Sequence, residues 1–317
     1  MKLTSSEELK PFTNQSNTFL FIFVGLTDDP SLQLVLFYAF LIMYIMTVAG
    51  NIGIFVIIYS SPHLHTPMYF FLSHLSFIDF CYASSVAPNT IMQLVKEEKY
   101  ISLVGCATQL FTFSSFGSTE CLLFGVMAYD RFVAICTPLR YGSIMTKQAC
   151  NKLIVAAYVT AVLQAAIQTG STFSLHFCGS NILDHFFCDV NPLLRASCSD
   201  TLLNEILVLV CAAMIGGGSL LVILTSYTYI VLAVIKIPSL QGKKKAFSTC
   251  ASHLMCVTLF YGAVLSNYLH LSSTTFNQEM VSSIFYTVVI PTVNPIIYSL
   301  RNKEVKIILM RLLNQRF

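Results

Sequence analysis

Charge is what this chain has least of. Of its 317 residues only 10% are Asp, Glu, Lys or Arg, while 55% are hydrophobic; soluble domains carry about 25% charged residues. That shortage excludes an ordinary soluble globular domain. Catalytic signatures are missing too. There is no Gly-x-Ser-x-Gly elbow, no phosphate-cradling loop with its Lys and no His-Glu-x-x-His helix. His63 and His65, placed in the first inner loop, and His253, in the sixth apolar run, have no partner cluster that would form a catalytic set. An enzyme is not expected. The first eighteen residues lack an apolar core segment, so no cleavable signal peptide is expected and the first apolar run would serve as an anchor. No internal repeat or low-complexity tract stands out.

What the chain has is hydrocarbon. Spanning a bilayer takes roughly 20 apolar residues per helix. Seven runs qualify: Leu32–Tyr59, Pro67–Val95, Ile101–Tyr129, Leu153–Thr172, Ile206–Ile235, Ala246–Leu271 and Met280–Leu300. Gly and Pro interrupt several, which membrane helices tolerate. The expected fold is an all-α membrane protein, a seven-helix bundle forming one domain. Residues 1–31 would be an outer N-terminus, 32–300 the bundle, and 301–317 an inner tail. In that tail Val305, Ile308, Leu309 and Leu312 recur at helical spacing with bases opposite, the pattern of a short amphipathic helix on the inner leaflet.

Orientation follows from the bases. With the N-terminus outside, thirteen of the eighteen Lys and Arg fall on the inner side, leaving Lys2, Lys10, Lys96, Lys99 and Arg195 outside. The net charge of +3 mostly reflects this asymmetry, and nucleic acid is not implied. Asn14-Gln15-Ser16 is then a glycosylation sequon in the outer segment. Cys106, Cys178, Cys188 and Cys198 also fall on the outer, oxidising side, where disulfides persist. Three connectivities are open; Cys106–Cys188 with Cys178–Cys198 is preferred. With Cys188 oxidised, a metal site at His185-Phe186-Phe187-Cys188-Asp189 loses its thiolate.

Few charges sit inside the runs, and each is informative. Asp130-Arg131 closes the third run, where such a pair is costly unless it is matched or works; it reads as a switch at the inner face. Asp79 and Glu120 lie deep in runs two and three. A lone carboxylate there tends to neutralise; alternatively the two share a cation. Phe113, Gly117, Glu120 and Phe124 repeat at helical spacing, so one stripe of run three faces the bundle. Its outer half, Phe113, Ser114, Gly117 and Ser118, carries no charge.

Met127 to Cys136 resembles the Asp-Arg-Tyr region of rhodopsin-like G-protein-coupled receptors, Asn294-Pro295-Ile296-Ile297-Tyr298 their Asn-Pro-x-x-Tyr motif, and Gly50-Asn51 with Asp79 their first- and second-span polar positions. Four longer stretches, 64–72, 127–141, 245–254 and 291–302, are similar to olfactory receptors in particular. Departures stand beside them. The chain has no Trp, so the Trp switch of many rhodopsin-like receptors is absent, with Tyr261 of Phe260-Tyr261-Gly262 its substitute. Ser219 stands where many relatives have Pro, after Gly216-Gly217-Gly218. Close helix packing is the expected use of those glycines, ahead of local bending.

The resemblance implies an odorant receptor that binds a small neutral volatile and activates the olfactory stimulatory G protein, raising cyclic AMP. It implies a ligand pocket walled by Phe113, Ser114, Gly117, Ser118, Cys211, Ile215, Tyr261, Val264, Leu265, Tyr268, Ile284 and Thr287. With no acid above Glu120, amines are poor candidates. A sodium ion is expected at Asp79 and Glu120, with Ser76 or Asn294 nearby. The switch set is Asp130, Arg131, Tyr227, Asn294, Pro295 and Tyr298. The alternatives are the same fold sensing a metabolite outside the nose, or an ion-coupled transporter, which would need repeat symmetry that the sequence does not display.

Overall fold

The structure is a computed structural model, and it describes residues 19–96, 99–178, 181–269 and 276–301. Asn14 and the amphipathic segment beyond Arg301 lie outside the described residues.

Seven helical spans account for most of the chain. Spans one to four are Pro30–Ser60, Pro67–Gln93, Leu103–Cys136 and Lys147–Phe173. Span five is Leu202–Ile235, span six Leu240–Leu269, and span seven runs from Phe276 to Arg301. A 27-residue helix at 1.5 Å per residue is ~40 Å long, enough to cross a bilayer. The starts are set by local chemistry. Asp29, Ser102 and Thr146 cap spans one, three and four by accepting from the backbone N–H of Ser31, Gly105 and Ala149, and Pro30 and Pro67 take first-turn positions that need no donor. Spans three, four and six begin or end beyond the apolar runs because capped helices continue through polar residues once their termini are satisfied.

Span three is the hub, packing against spans two, four, five and six, while span seven closes the ring against spans one, two and six. The apolar segments of spans two and three are 56% and 50% buried, those of spans four and five only 22% and 11%. The latter therefore present their apolar surface outward, with Leu163, Ile167, Leu209, Met214 and Leu221 exposed. Such a surface is stable only in hydrocarbon.

Two of the spans contain wide π-turns: Ala212–Gly217 in span five and Phe285–Val289 in span seven. The first corrects the reading of the glycines. A Cβ on Gly216, Gly217 or Gly218 would meet nothing within 4 Å, so they do not serve close packing; they lie in and beside the π-turn. Gly50 is the opposite case, since a Cβ there would stand 3.0 Å from Pro295 Cγ, and its absence lets span seven lie against span one.

One feature of the fold is not helical. Three short strands, β1 (Leu20–Phe23), β2 (Tyr100–Ser102) and β3 (Ile182–Leu183), form a sheet in the order β2-β1-β3. β1 is antiparallel to β2 and parallel to β3. Phe21 and Phe23 are buried beneath it with Cys106, Leu110, Cys188 and Leu193. The segment read as a plain outer N-terminus thus includes a strand that packs the loop before span five. Disulfides join Cys106 to Cys188 and Cys178 to Cys198, with Cα atoms 5.5 and 5.9 Å apart. This is the disulfide end; the opposite, basic end carries Arg131, Arg140, Lys147, Lys236 and Lys243.

Candidate functional site

Three polar layers sit along the axis of the bundle, each held by several spans. At the disulfide end the loop His185–Asp189 folds inward. His185, Phe186, Phe187 and Cys188 are buried. Two amides pin this cap: Gln93 Nε2 donates to the Phe186 carbonyl at 3.0 Å, and Gln109 Oε1 accepts from the Cys188 N–H at 3.0 Å. His185 Nε2 lies 3.1 Å from Ser283 Oγ, which is 2.8 Å from the Tyr286 hydroxyl. Tyr286 in turn donates to Asp189 Oδ2 at 3.3 Å. Burial holds His185 neutral, its pKa lowered to about 3, with the nearby Arg195 acting in the same direction. Burial likewise raises Asp189, against the hydrogen bonds it accepts.

Beneath the cap lies the uncharged outer half of the bundle. Phe113 stacks on Tyr82 at 5.0 Å and contacts Phe187 at 5.0 Å and Tyr286 at 6.0 Å. Gly117 faces the same Tyr82, whose ring would be 3.2 Å from an added Cβ. Phe113, Ile215, Tyr261, Val264 and Ile284 belong to one apolar cluster. Thr287 is fully buried, its hydroxyl donating to the Ser283 carbonyl at 2.6 Å. Ser114 and Cys211 are half-buried. Ser118 is turned toward span four, donating to Gln164 Oε1 at 2.7 Å. Leu265 is 43% exposed, away from the packed interior, and the Tyr268 side chain lies outside the described residues.

At the floor of this region, Tyr261, Ser219 and Cys121 meet. The Tyr261 hydroxyl is 2.5 Å from Ser219 Oγ, and Cys121 Sγ is 3.1 Å from each. Ser219 also donates to the Ile215 carbonyl at 2.6 Å. At the same level of span three, beside Cys121, the buried acids come together. Asn294 Nδ2 donates to Asp79 Oδ2 at 3.0 Å and to Glu120 Oε1 at 3.4 Å. Both carboxyls are 1% exposed. Two full negative charges bridged by one amide in such a place would be prohibitive, so the pair shares either a proton or a cation. Asn51, 1% exposed, ties span one to span seven by donating to the Pro291 carbonyl at 3.0 Å.

The third layer is at the basic end. Asp130 and Arg131 form an ion pair at 3.1 Å with both side chains buried. Tyr141, in the helical turn after span three, donates to Asp130 Oδ1 at 2.8 Å. Across from them the Tyr227 hydroxyl is 2.8 Å from His253 Nδ1, and His253 Nε2 is 3.1 Å from the Phe124 carbonyl. A carbonyl only accepts, so Nε2 carries the proton and Tyr227 donates to Nδ1. One imidazole thereby binds spans three, five and six. Tyr298 is buried.

Tyr141, His253, Gln164 and Cys121 were not among the residues the sequence singled out for these roles. Tyr141 lies inside the resembling stretch, and His253 and Gln164 are polar residues in apolar runs, which in lipid calls for a partner. The partners are on other spans, so no local spacing displays them.

A seven-helix bundle with a disulfide-tied cap, a buried acid pair and an Asp-Arg pair at its basic end is the architecture of a G-protein-coupled receptor. The family model described as olfactory receptor matches residues 40–316. Human olfactory receptor 5A1 is 51% identical over 304 residues, 96% of each chain. Mouse olfactory receptor 5AP2 is 51% identical over 294 residues, 92% of this chain and 93% of its own. Mouse olfactory receptor 5AR1 is 46% identical over 304 residues, covering 96% and 98%. The chain belongs to the olfactory receptor family and is a multi-pass membrane protein, an odorant receptor rather than an enzyme.

Proposed function

We propose that this receptor binds a small, neutral, partly apolar odorant in the outer half of the bundle and activates the olfactory stimulatory G protein, raising cyclic AMP. The N-terminus lies outside the cell, with Asn14 glycosylated, and the basic end faces the cytoplasm. The observation that carries the reading is the buried Asp130–Arg131 pair with its Tyr141 clasp. A guanidinium neutralised at rest is available to a partner only after rearrangement.

The ligand class follows from the walls. Aromatic and aliphatic surface with a few hydroxyls favours a partly apolar guest, and no ionised side chain there would pair with an ammonium group. Ligand shifts the balance only by preferring the active arrangement. An outward swing of span six carries His253 away from the Phe124 carbonyl and from Tyr227. The freed Tyr227 hydroxyl, with Tyr298, then supports Arg131 as it leaves Asp130. The docking G-protein segment borders Lys243 and Lys244.

The acid pair suits sodium. Asp79 Oδ1 and Asn294 Oδ1 are buried with no hydrogen-bond partner among the described residues, and an all-oxygen donor set fits a hard cation. Bound there, the ion would neutralise the pair and bias the bundle.

Arg131→Ala is the direct test: cyclic AMP responses to a panel of neutral volatiles vanish while surface expression persists. Retained signalling removes Arg131 from the switch. For the ion, agonist potency titrated against sodium should lose its dependence in Asp79→Asn and Glu120→Gln. Sodium dependence unchanged in both variants ends that assignment.

A further inference from the structure

The floor of the uncharged outer half of the bundle contains a hydrogen-bond relay that meets the ligand walls at Tyr261 and Ile215 and shares nothing with the inner ion pair. Its direction is fixed by counting donors. The hydroxyl hydrogen of Ser219 is directed to the Ile215 carbonyl at 2.6 Å, so at 2.5 Å Ser219 Oγ accepts from the Tyr261 hydroxyl. The Tyr261 oxygen is then open to the Cys121 thiol at 3.1 Å. The chain runs from span three through span six to span five. It ends on a carbonyl of span five through the i−4 back-bond that Ser and Thr make in helices, at the edge of the π-turn Ala212–Gly217. The Gly216 carbonyl also stands 3.3 Å from the Tyr261 hydroxyl. A proline at position 219 would remove the relay's central atom.

We infer that Ser219 is a positioning residue that, through Tyr261 and with Cys121, sets how firmly span six is held before odorant arrives. This rests on reading the paired Asp130–Arg131 arrangement as the resting one, because the relay coexists with it. A guest pressing on Tyr261 from the outer half of the bundle competes with the relay. Ser219 therefore sets a threshold common to all ligands and does not choose among them.

The test uses the full-length receptor in membranes, with a fluorescent reporter at the inner end of span six beside a cyclic AMP reporter. Ser219→Ala should raise the basal span-six signal and lower the half-maximal concentration for every agonist by about 5- to 10-fold, the effect of losing one buried hydrogen bond. Ser219→Thr keeps the hydroxyl and should match the parent, whereas Ser219→Val, isosteric with that Thr variant but lacking its hydroxyl, should behave like Ala. Tyr261→Phe should reproduce Ser219→Ala, and the double variant should add little, since both break the same link. Unchanged basal signal in Ser219→Ala at normal surface level overturns the inference, as does full additivity. A loss of surface delivery common to Ala, Thr and Val overturns it as well, because it shows a packing role. A silent cyclic AMP reporter beside a responsive span-six reporter counts against the stimulatory coupling and leaves Ser219 in place.

Discussion

The two ends of the bundle are built from different kinds of bond. The disulfide end is stapled by Cys106–Cys188 and Cys178–Cys198, braced by a three-stranded sheet, and clamped by Arg195 to Glu279 at 2.8 Å. The basic end has neither disulfide nor sheet among the described residues. It is joined by one ion pair, the Tyr141 clasp and the His253 bridge. Covalent bonds and sheet ladders do not exchange partners on a signalling timescale, but hydrogen bonds and ion pairs do. The contrast assigns shape-keeping to one end and switching to the other.

Breaking the staple should produce the largest effect. Cys106→Ser leaves Cys188 without its tether, and loss of a native disulfide costs about 2–5 kcal/mol. Surface-delivered receptor should fall sharply on flow cytometry, while Arg131→Ala at the other end leaves delivery intact. Equal loss in both would erase the division of labour.

Acid should loosen the cap next. The folded pKa of His185, about 3, lies below the 6.5 of an unburied His. Its contribution is therefore complete above pH 6.5 and declines as pH falls toward 3, by at most about 5 kcal/mol. Asp189, raised by burial, acts oppositely just above the ordinary carboxylate range. Hydrogen-exchange protection factors of residues 181–190, which correct for the intrinsic slowing of exchange in acid, should fall below pH 6.5, and His185→Gln should remove most of that fall. A pH-independent profile in the parent protein would show that another group holds the cap.

The smallest change tests the switch end. Tyr141→Phe removes one hydrogen bond to Asp130, worth about 1 kcal/mol, so basal cyclic AMP should rise several-fold with surface level unchanged. No rise would leave Arg131 as the only group holding Asp130 in the resting state.

Much of this was legible in the residues themselves. Seven apolar runs fix the number of crossings because each must satisfy its own backbone in hydrocarbon. The pairing of Asp130 with Arg131 needs only adjacency and the cost of an isolated charge. The glycines before Ser219 were misread, because whether a small residue meets a neighbour or open space depends on where the next helix lies. β1 was also missed: four residues become a strand here only because loop segments 80 and 160 residues away offer edges.

The sequence by itself determined seven membrane spans with an uncharged outer stripe on span three, since composition and period dictate burial in a bilayer, and its motifs carried the resemblance to odorant receptors. Tertiary structure alone decided which polar groups meet. His253 with Tyr227, Ser118 with Gln164, Asn294 between two acids, and Ser219 under Tyr261 all join different spans. Their contacts depend on helix rotation and axial register, quantities set by packing seven helices at once and written in no single stretch of chain.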